Sequence, residues 1–259
     1  MLKKIFCTLI LCCLLLTGCS SVQHKNDYQT IKKRGKLVVG VRSDTRPFGY
    51  RNVNGKLQGF DIDLAKVIAK HIFTNENAVV FVPVTASNRI RMLNSGKVDM
   101  LIATMSITDQ RRLVVDFSEP YYMAGQAILV RRRNPVSSIK QLNGKKIIIV
   151  YGSTGEMSVR MNAPEAIIRG YKNYTLAYNA LKAGEADAMI ADDTILYNLA
   201  LDDPSVRILD KRFSHEPYAI AFRKGEESAQ LKETVNFTLN LMSHSGKLRE
   251  LKSKWGLKQ

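Results

Sequence analysis

Apolar positions along the chain fall into short continuous runs separated by amphipathic stretches. Leu37-Val38-Val39-Gly40-Val41 is unbroken, the pattern of a strand buried on both faces. Asn54-Gly55 predicts a hairpin turn ahead of Leu57. Leu64, Val67, Ile68 and Ile72 then recur at helical spacing, with Asp61 placed to cap that helix. A strand from Ala78 to Val82, a helix from Arg89 to Asn94 and a strand from Val98 to Ala103 follow. Further on, strands are predicted over Lys145 to Val150 and Ala188 to Ile190, and helices over Thr175 to Ala183 and Asp193 to Leu201. Two more helices, Glu227 to Ser243 and Lys247 to Trp255, complete the pattern. Strands alternating with helices define an α/β chain with crossover helices.

Leu93, Gly96, Asp99 and Ile102 match Leu181, Gly184, Asp187 and Ile190 at a constant offset of 88 residues. Each set reads as a helix end, a glycine C-cap and a short buried strand. The offset is too long for a solenoid repeat, and ordinary αβ units can share such a pattern. Four matches are weak support for two similar lobes.

The amino terminus stands apart. Lys3 and Lys4 precede an apolar run from Ile5 to Leu16, shorter than the roughly 20 residues of a spanning helix. It reads as the apolar region of an export signal. Leu16-Thr17-Gly18-Cys19 resembles the bacterial lipoprotein signal, which implies cleavage after residue 18, lipidation of Cys19 (palmitate among the acyl chains) and attachment to the membrane. Residues 19–36 are polar and basic and read as the lipidated cysteine and a tether. All four cysteines lie in the first 19 residues, so the mature body has no disulfide, thiolate nucleophile or cysteine-bound metal.

The chain of 259 residues carries 39 Lys and Arg against 23 Asp and Glu, a formal charge of +16. Removing residues 1–18 leaves 37 basic against 23 acidic side chains, still +14. Such a charge invites a nucleic-acid reading. The export signal, the dispersal of the basic residues and the lack of a recognition motif argue against it.

In α/β folds, ligands sit outside the carboxyl ends of the strands. Arg42, Ser43 and Asp44 follow the first strand, and Thr104, Ser106 and Arg111 follow the strand ending at Ala103. Tyr151 to Gly155 follow Val150, and Asp192 and Asp193 follow Ile190. Hydroxyls, backbone N–H groups, arginines and carboxylates together suit a small zwitterion.

Several motifs are specific in combination: Pro47-Phe48, Gly59-Phe60-Asp61-Ile62-Asp63-Leu64, Ile107-Thr108-Asp109-Gln110-Arg111-Arg112 and Asp116-Phe117-Ser118-Glu119-Pro120-Tyr121-Tyr122. With these, residues 36–256 resemble family 3 of the extracytoplasmic solute-binding proteins, which feed ABC importers with polar amino acids. The resemblance implies the type II periplasmic-binding-protein fold, two α/β lobes joined by two crossing hinge strands. Lobe 1 would comprise residues 28–122 plus 221–259 and lobe 2 residues 125–216, with hinge strands near Gly125 to Val130 and Pro217 to Phe222. It implies a monomer that closes on an amino acid and delivers it to a membrane permease, with no cofactor and no metal.

By the same resemblance, Arg111 pairs with the ligand α-carboxylate, helped by Thr104, Ser106 and Thr154, and Asp192 accepts from the α-ammonium. A surface charge at Arg111 and a helix N-cap at Asp192 are the plainer alternatives. Glutamine- and histidine-binding relatives usually carry an aspartate where Arg42 stands and an aromatic shelf where Thr45 stands. With Arg42 in its place and Arg42 and Arg89 facing the ligand side chain, and with Tyr218 after the hinge, the arrangement resembles the aspartate- and glutamate-binding subgroup. An acidic amino acid is therefore the expected ligand, with glutamine or another polar amino acid as the alternative. Pairing of Arg42 with Asp44, or solvation of Arg89 on its helix, would remove the reason for a second carboxylate. A ligand-sensing module and an extracytoplasmic lyase are the rival functions. For an enzyme the chain offers only His215-Glu216 near the hinge as an acid/base pair, more readily a loop cap.

Overall fold

The computed structural model describes residues 27–209 and 211–257. The export signal, Cys19 and the tether up to residue 26 lie outside the described residues. The chain opens with α1 (Asp27–Arg34), β1 (Leu37–Val41), β2 (Asp44–Thr45), β3 (Gly49–Arg51), β4 (Leu57–Gln58) and α2 (Phe60–Phe73). Next come β5 (Val79–Pro83), α3 (Arg89–Asn94), β6 (Met100–Ile102), α4 (Asp109–Arg112), β7 (Val115–Ala124) and β8 (Gln126–Arg131). They are followed by β9 (Lys146–Val150), α5 (Gly155–Asn162), β10 (Ile167–Tyr171), α6 (Tyr174–Lys182), β11 (Ala188–Asp192), α7 (Asp193–Leu199) and β12 (Val206–Ile208). The last elements are β13 (Glu216–Arg223), α8 (Ala229–His244) and α9 (Lys247–Lys254).

Two five-stranded sheets form, in the orders β5-β1-β6-β13-β7 and β10-β9-β11-β8-β12, with β2, β3 and β4 in a small third sheet. Alternation within each strand sends side chains to opposite faces. Met100 and Ile102 therefore join Leu64, Ile68, Leu231 and Val235 in one core, whereas Leu101 joins Leu93, Val115 and Ala219 in another. The second sheet repeats this, with Ile148 and Val150 packed with Ala177 and Leu181, and Ile147 and Ile149 with Val159. Each sheet is thus covered on both faces, and a fully buried side chain such as Leu64 contributes about 1.5–3 kcal/mol. This is the two-lobed α/β architecture expected from the sequence.

The 88-residue similarity has a structural counterpart. Leu93 and Leu181 are buried, and Gly96 and Gly184 adopt positive φ, 71° and 83°. Asp99 Oδ2 accepts from the Val38 amide at 2.7 Å, and Asp187 Oδ2 from the Lys146 amide at 2.9 Å. Each aspartate ties its own strand to the start of the neighbouring parallel strand.

Three expectations are corrected. Residues 27–34, assigned from sequence to the tether and from 28 also to lobe 1, form α1 on the first sheet's core. Ile31 is buried in that core, Lys32 Nζ donates to the Ile72 carbonyl at 2.8 Å, and Asp27 pairs with Arg223 at 2.6 Å. Asp61 does not cap α2: Gly59 holds that position at φ 137°, and the aspartate turns inward from the first turn. The predicted hinge strands belong to the sheets themselves, Gln126–Arg131 as β8 of the second and Pro217 to Phe222 within β13 of the first. The chain crosses between sheets at Gly125 and again between Ile208 and Glu216. There Gln126 N donates to Ser214 Oγ at 3.0 Å and Phe213 N to the Gln126 carbonyl at 3.0 Å. A Cβ on Gly125 would lie 2.6 Å from the Ser214 carbonyl oxygen, so glycine is what lets the two crossings touch.

Candidate functional site

Both sheets present the carboxyl ends of their central parallel strands to one cleft. Arg42 follows β1 and is 1% exposed. Its Nη2 and Nε donate to Asp44 Oδ1 at 2.7 and 3.1 Å, and Nε also reaches Thr45 Oγ1 at 3.1 Å. Arg42 is therefore paired with Asp44, the alternative raised from the sequence. Its guanidinium carbon lies 5.5 Å from the Tyr174 ring centroid, on α6 of the other lobe.

Arg89 opens α3, where a Thr85–Asn88 turn sets up the helix: Asn88 Oδ1 accepts from the Thr85 amide at 2.8 Å. The side chain is buried, not solvated. Its Nη1 donates to the Ala103 and Thr104 carbonyls at 2.6 and 3.2 Å, and its Nη2 to the Gly152 carbonyl at 3.4 Å. Burial, with Arg111 and Arg42 nearby, lowers its pKa to about 9. Arg111 is set by the Thr108 N-cap, whose Oγ1 accepts from the Arg111 amide at 3.2 Å. Its Nη1 donates to the Ser106 carbonyl at 2.7 Å and its Nη2 to the Gly152 carbonyl at 3.0 Å. Two arginines of the first lobe thus converge on one carbonyl of the second.

Thr104 adopts a left-handed backbone, φ 47°, and its amide donates to Asp61 Oδ2 at 3.3 Å. Asp61 Oδ1 accepts from Tyr121 OH at 3.0 Å, and complete burial raises its pKa to about 7. On the second lobe, Asp192 ends β11 and precedes α7, yet its side chain makes no capping bond. It accepts instead from Tyr218 OH and Gln126 Nε2. Burial first, then the neighbouring Glu216, raises its pKa to about 7. Ser106 bridges Tyr218 through the backbone, so the first lobe's strand-end loop lies against β13. Thr154 Oγ1 accepts from Gln126 Nε2 at 3.1 Å and donates to Glu216 Oε2 at 3.0 Å. Its one hydroxyl proton is thus committed to a carboxylate.

All eight residues expected from the sequence meet along this cleft. Its mouth is a hollow of about 370 Å³ lined by Ala86, Ile90, Arg111, Gly152, Thr154 and Met157, among others. A hollow of about 610 Å³ near Pro47, Tyr197 and Trp255 contains none of Arg42, Arg89 and Arg111. Sequence reasoning missed Gln126 and Tyr174, read Asp61 as a helix cap, named Gly152 only within the loop after Val150, and read His215-Glu216 as more readily a loop cap than an acid/base pair. His215 is exposed and Glu216 buried, bonded to Thr154 and Ser214. Gln126 was within reach of the sequence, because it follows the crossing glycine directly. Its pairing opposite Asp192 depends on strand register.

Two α/β lobes joined by a double crossover, with charged and hydroxyl side chains facing one another across the cleft, define a two-lobed solute-binding protein. The chain belongs to the bacterial extracellular solute-binding proteins, family 3, which it matches over residues 37–258. It is 40% identical to the glutamine-binding protein of an ABC transporter in Bacillus subtilis, over 98% of this chain and 97% of that one. A glutamine-binding protein of Geobacillus stearothermophilus is 41% identical, over 92% and 96%. Among solved structures, an ancestral arginine-binding protein, seen with arginine and with glutamine, superposes with a TM-score of 0.80 at 40% identity. The match covers 86% of this chain and 98% of that one.

Proposed function

We propose that this protein is the substrate-binding component of an ABC importer and that its ligand is a polar amino acid with an uncharged side chain, glutamine foremost. Arg111 takes the α-carboxylate, with Thr104 and Ser106 alongside, and Asp192 accepts from the α-ammonium beside Tyr218. Thr154 acts through Gln126 and Glu216, because its hydroxyl is already engaged. Contacts from both lobes to one ligand favour the closed form. The delivery partner is a membrane permease, reached by a monomer anchored outside the cytoplasm through a lipid on Cys19.

The expectation of glutamate or aspartate gives way here, and the pairing of Arg42 with Asp44 carries the change. That expectation required Arg42 and Arg89 to be cations awaiting a counter-ion. Arg42 is instead paired with Asp44, and Arg89 and Arg111 are turned to backbone carbonyls. The charge of Arg42 is thus already met, and a second ligand carboxylate at Arg42 would be buried beside Asp44. The identity of 40–41% to two glutamine-binding proteins supports the same reading.

Calorimetry of the domain from residue 27 onward with glutamine, glutamate, aspartate, arginine and histidine tests this. Glutamine is expected to bind tightest and to be recovered unchanged, as from a binder and not a lyase. Tighter binding of either acidic amino acid, or of arginine, would overturn the assignment. Loss of labelled glutamine uptake on deleting the gene separates import from sensing.

A further inference from the structure

The geometry points to Asp44 as a selectivity residue: by cancelling the charge of Arg42, it makes the pair a neutral donor for a side-chain carboxamide. This inference rests on the reading of the cleft as a glutamine-type site and names the group that reads the side chain. Asp44 Oδ1 gathers three donors, Arg42 Nη2 at 2.7 Å, Arg42 Nε at 3.1 Å and Thr45 Oγ1 at 3.1 Å. This occupies one edge of the guanidinium. Arg42 Nη1 is left buried without a hydrogen-bond partner among the described residues. With Tyr174 of the opposite lobe over the guanidinium, Arg42 lies between a first-lobe carboxylate and a second-lobe ring. A buried N–H donor of this kind demands an acceptor.

Three side-chain chemistries can be compared at that donor. A carboxamide oxygen accepts from Nη1 and leaves the Arg42–Asp44 pair neutral. A carboxylate oxygen also accepts, but adds an uncompensated anion beside Asp44 in a desolvated cleft. A guanidinium presents donors to a donor. Selection against charged side chains thus comes from the aspartate, although the arginine makes the contact. Arg89, the other cation nearby, is turned to the Ala103, Thr104 and Gly152 carbonyls, and Asp61 and Asp192 accompany it.

The test is the ratio of glutamine to glutamate affinity, measured by calorimetry on the domain from residue 27 onward. Asp44→Asn keeps the shape and removes the charge, so Arg42 becomes an uncompensated cation. The ratio should then move toward glutamate by about tenfold, the difference between a neutral and a charge-assisted hydrogen bond. The double variant Arg42→Gln/Asp44→Asn is neutral again and should restore the preference for glutamine. Thermal melting checks that each variant is folded, and Asp44→Ser supplies the same reading if Asp44→Asn is not. A wild type that prefers glutamine while Asp44→Asn leaves the ratio within twofold would overturn this inference alone. A wild type that prefers glutamate would overturn the glutamine reading and this inference together.

Discussion

Asp61 and Asp192 carry carboxyl groups raised to about 7 by burial, one on each lobe. In an unfolded chain both titrate near 4. The folded protein therefore holds more protons than the unfolded chain between those values. Their contribution to stability is full below the unfolded pKa and is lost as pH rises through about 7. Asp116 and Asp203, held low by lysines and hydrogen bonds, act at the acid end and leave this window alone. The melting temperature of the domain without added amino acid should fall between pH 5.5 and pH 8, and Asp61→Asn or Asp192→Asn should flatten the slope. A calorimetric scan that rises over that range would refute the assignment. Binding has the opposite demand, since an α-ammonium needs Asp192 ionised. At pH 6 glutamine should release up to about one proton, read from the heats in two buffers of different ionisation enthalpy. Arg42, Arg111 and Asp192 were legible in the sequence because each follows a predicted strand, whereas Arg89 entered only through the resemblance. Asp61 was not, because its partners Thr104 and Tyr121 lie 43 and 60 residues away.

Among elements, those with clear apolar periodicity were legible, such as α2 and α8. The α1 helix was not, because six polar or charged residues surround Ile31 and Tyr28, and only contact with the core explains its position. The chain crosses at Gly125, where the first hinge was expected to begin, but the second crossing lies ahead of Pro217, for a related reason. Buried sheet strands and strands that run between lobes share one hydrophobic pattern, and only pairing tells them apart. The loop between β9 and α5 shows an element-scale constraint equally hidden in sequence. Gly152 has φ 77°, and a Cβ there would lie 2.5 Å from the Ala86 carbonyl oxygen of the other lobe. Gly152→Ala should cost about 1 kcal/mol of stability for the left-handed backbone. Its larger effect should fall on affinity, a loss of about tenfold or more, because the Ala86–Gly152 approach holds the two lobes together across the cleft. Equal glutamine affinity in both proteins, measured by calorimetry, would show that the bound form does not bring these two loops together.

At the scale of the molecule, a strongly basic chain holds a cleft in which Arg42 is paired with Asp44 and Arg89 and Arg111 are turned to backbone carbonyls. Net charge therefore did not reveal the character of the pocket, and the acidic ligand was expected because Arg42 and Arg89 were read as cations facing the ligand side chain. Several interactions bridge the two lobes at the cleft: Arg89 and Arg111 to the Gly152 carbonyl, Arg42 to the Tyr174 ring, and Tyr218 to Asp192. Arg111 both reaches across the cleft and, on the proposed function, holds the ligand α-carboxylate. Removing it should uncouple ligand addition from closure. Small-angle scattering of the wild-type domain should show a smaller radius of gyration on adding saturating glutamine. Arg111→Ala should show no change at the same concentration, with affinity lower by about a hundredfold, as expected when a charge-assisted fork to a carboxylate is lost. Arg111→Lys should fall between the two, because a lysine keeps the charge but not the planar pair of donors. Compaction of Arg111→Ala equal to that of the wild type would place the closing contact elsewhere, with Arg89 the next residue to replace.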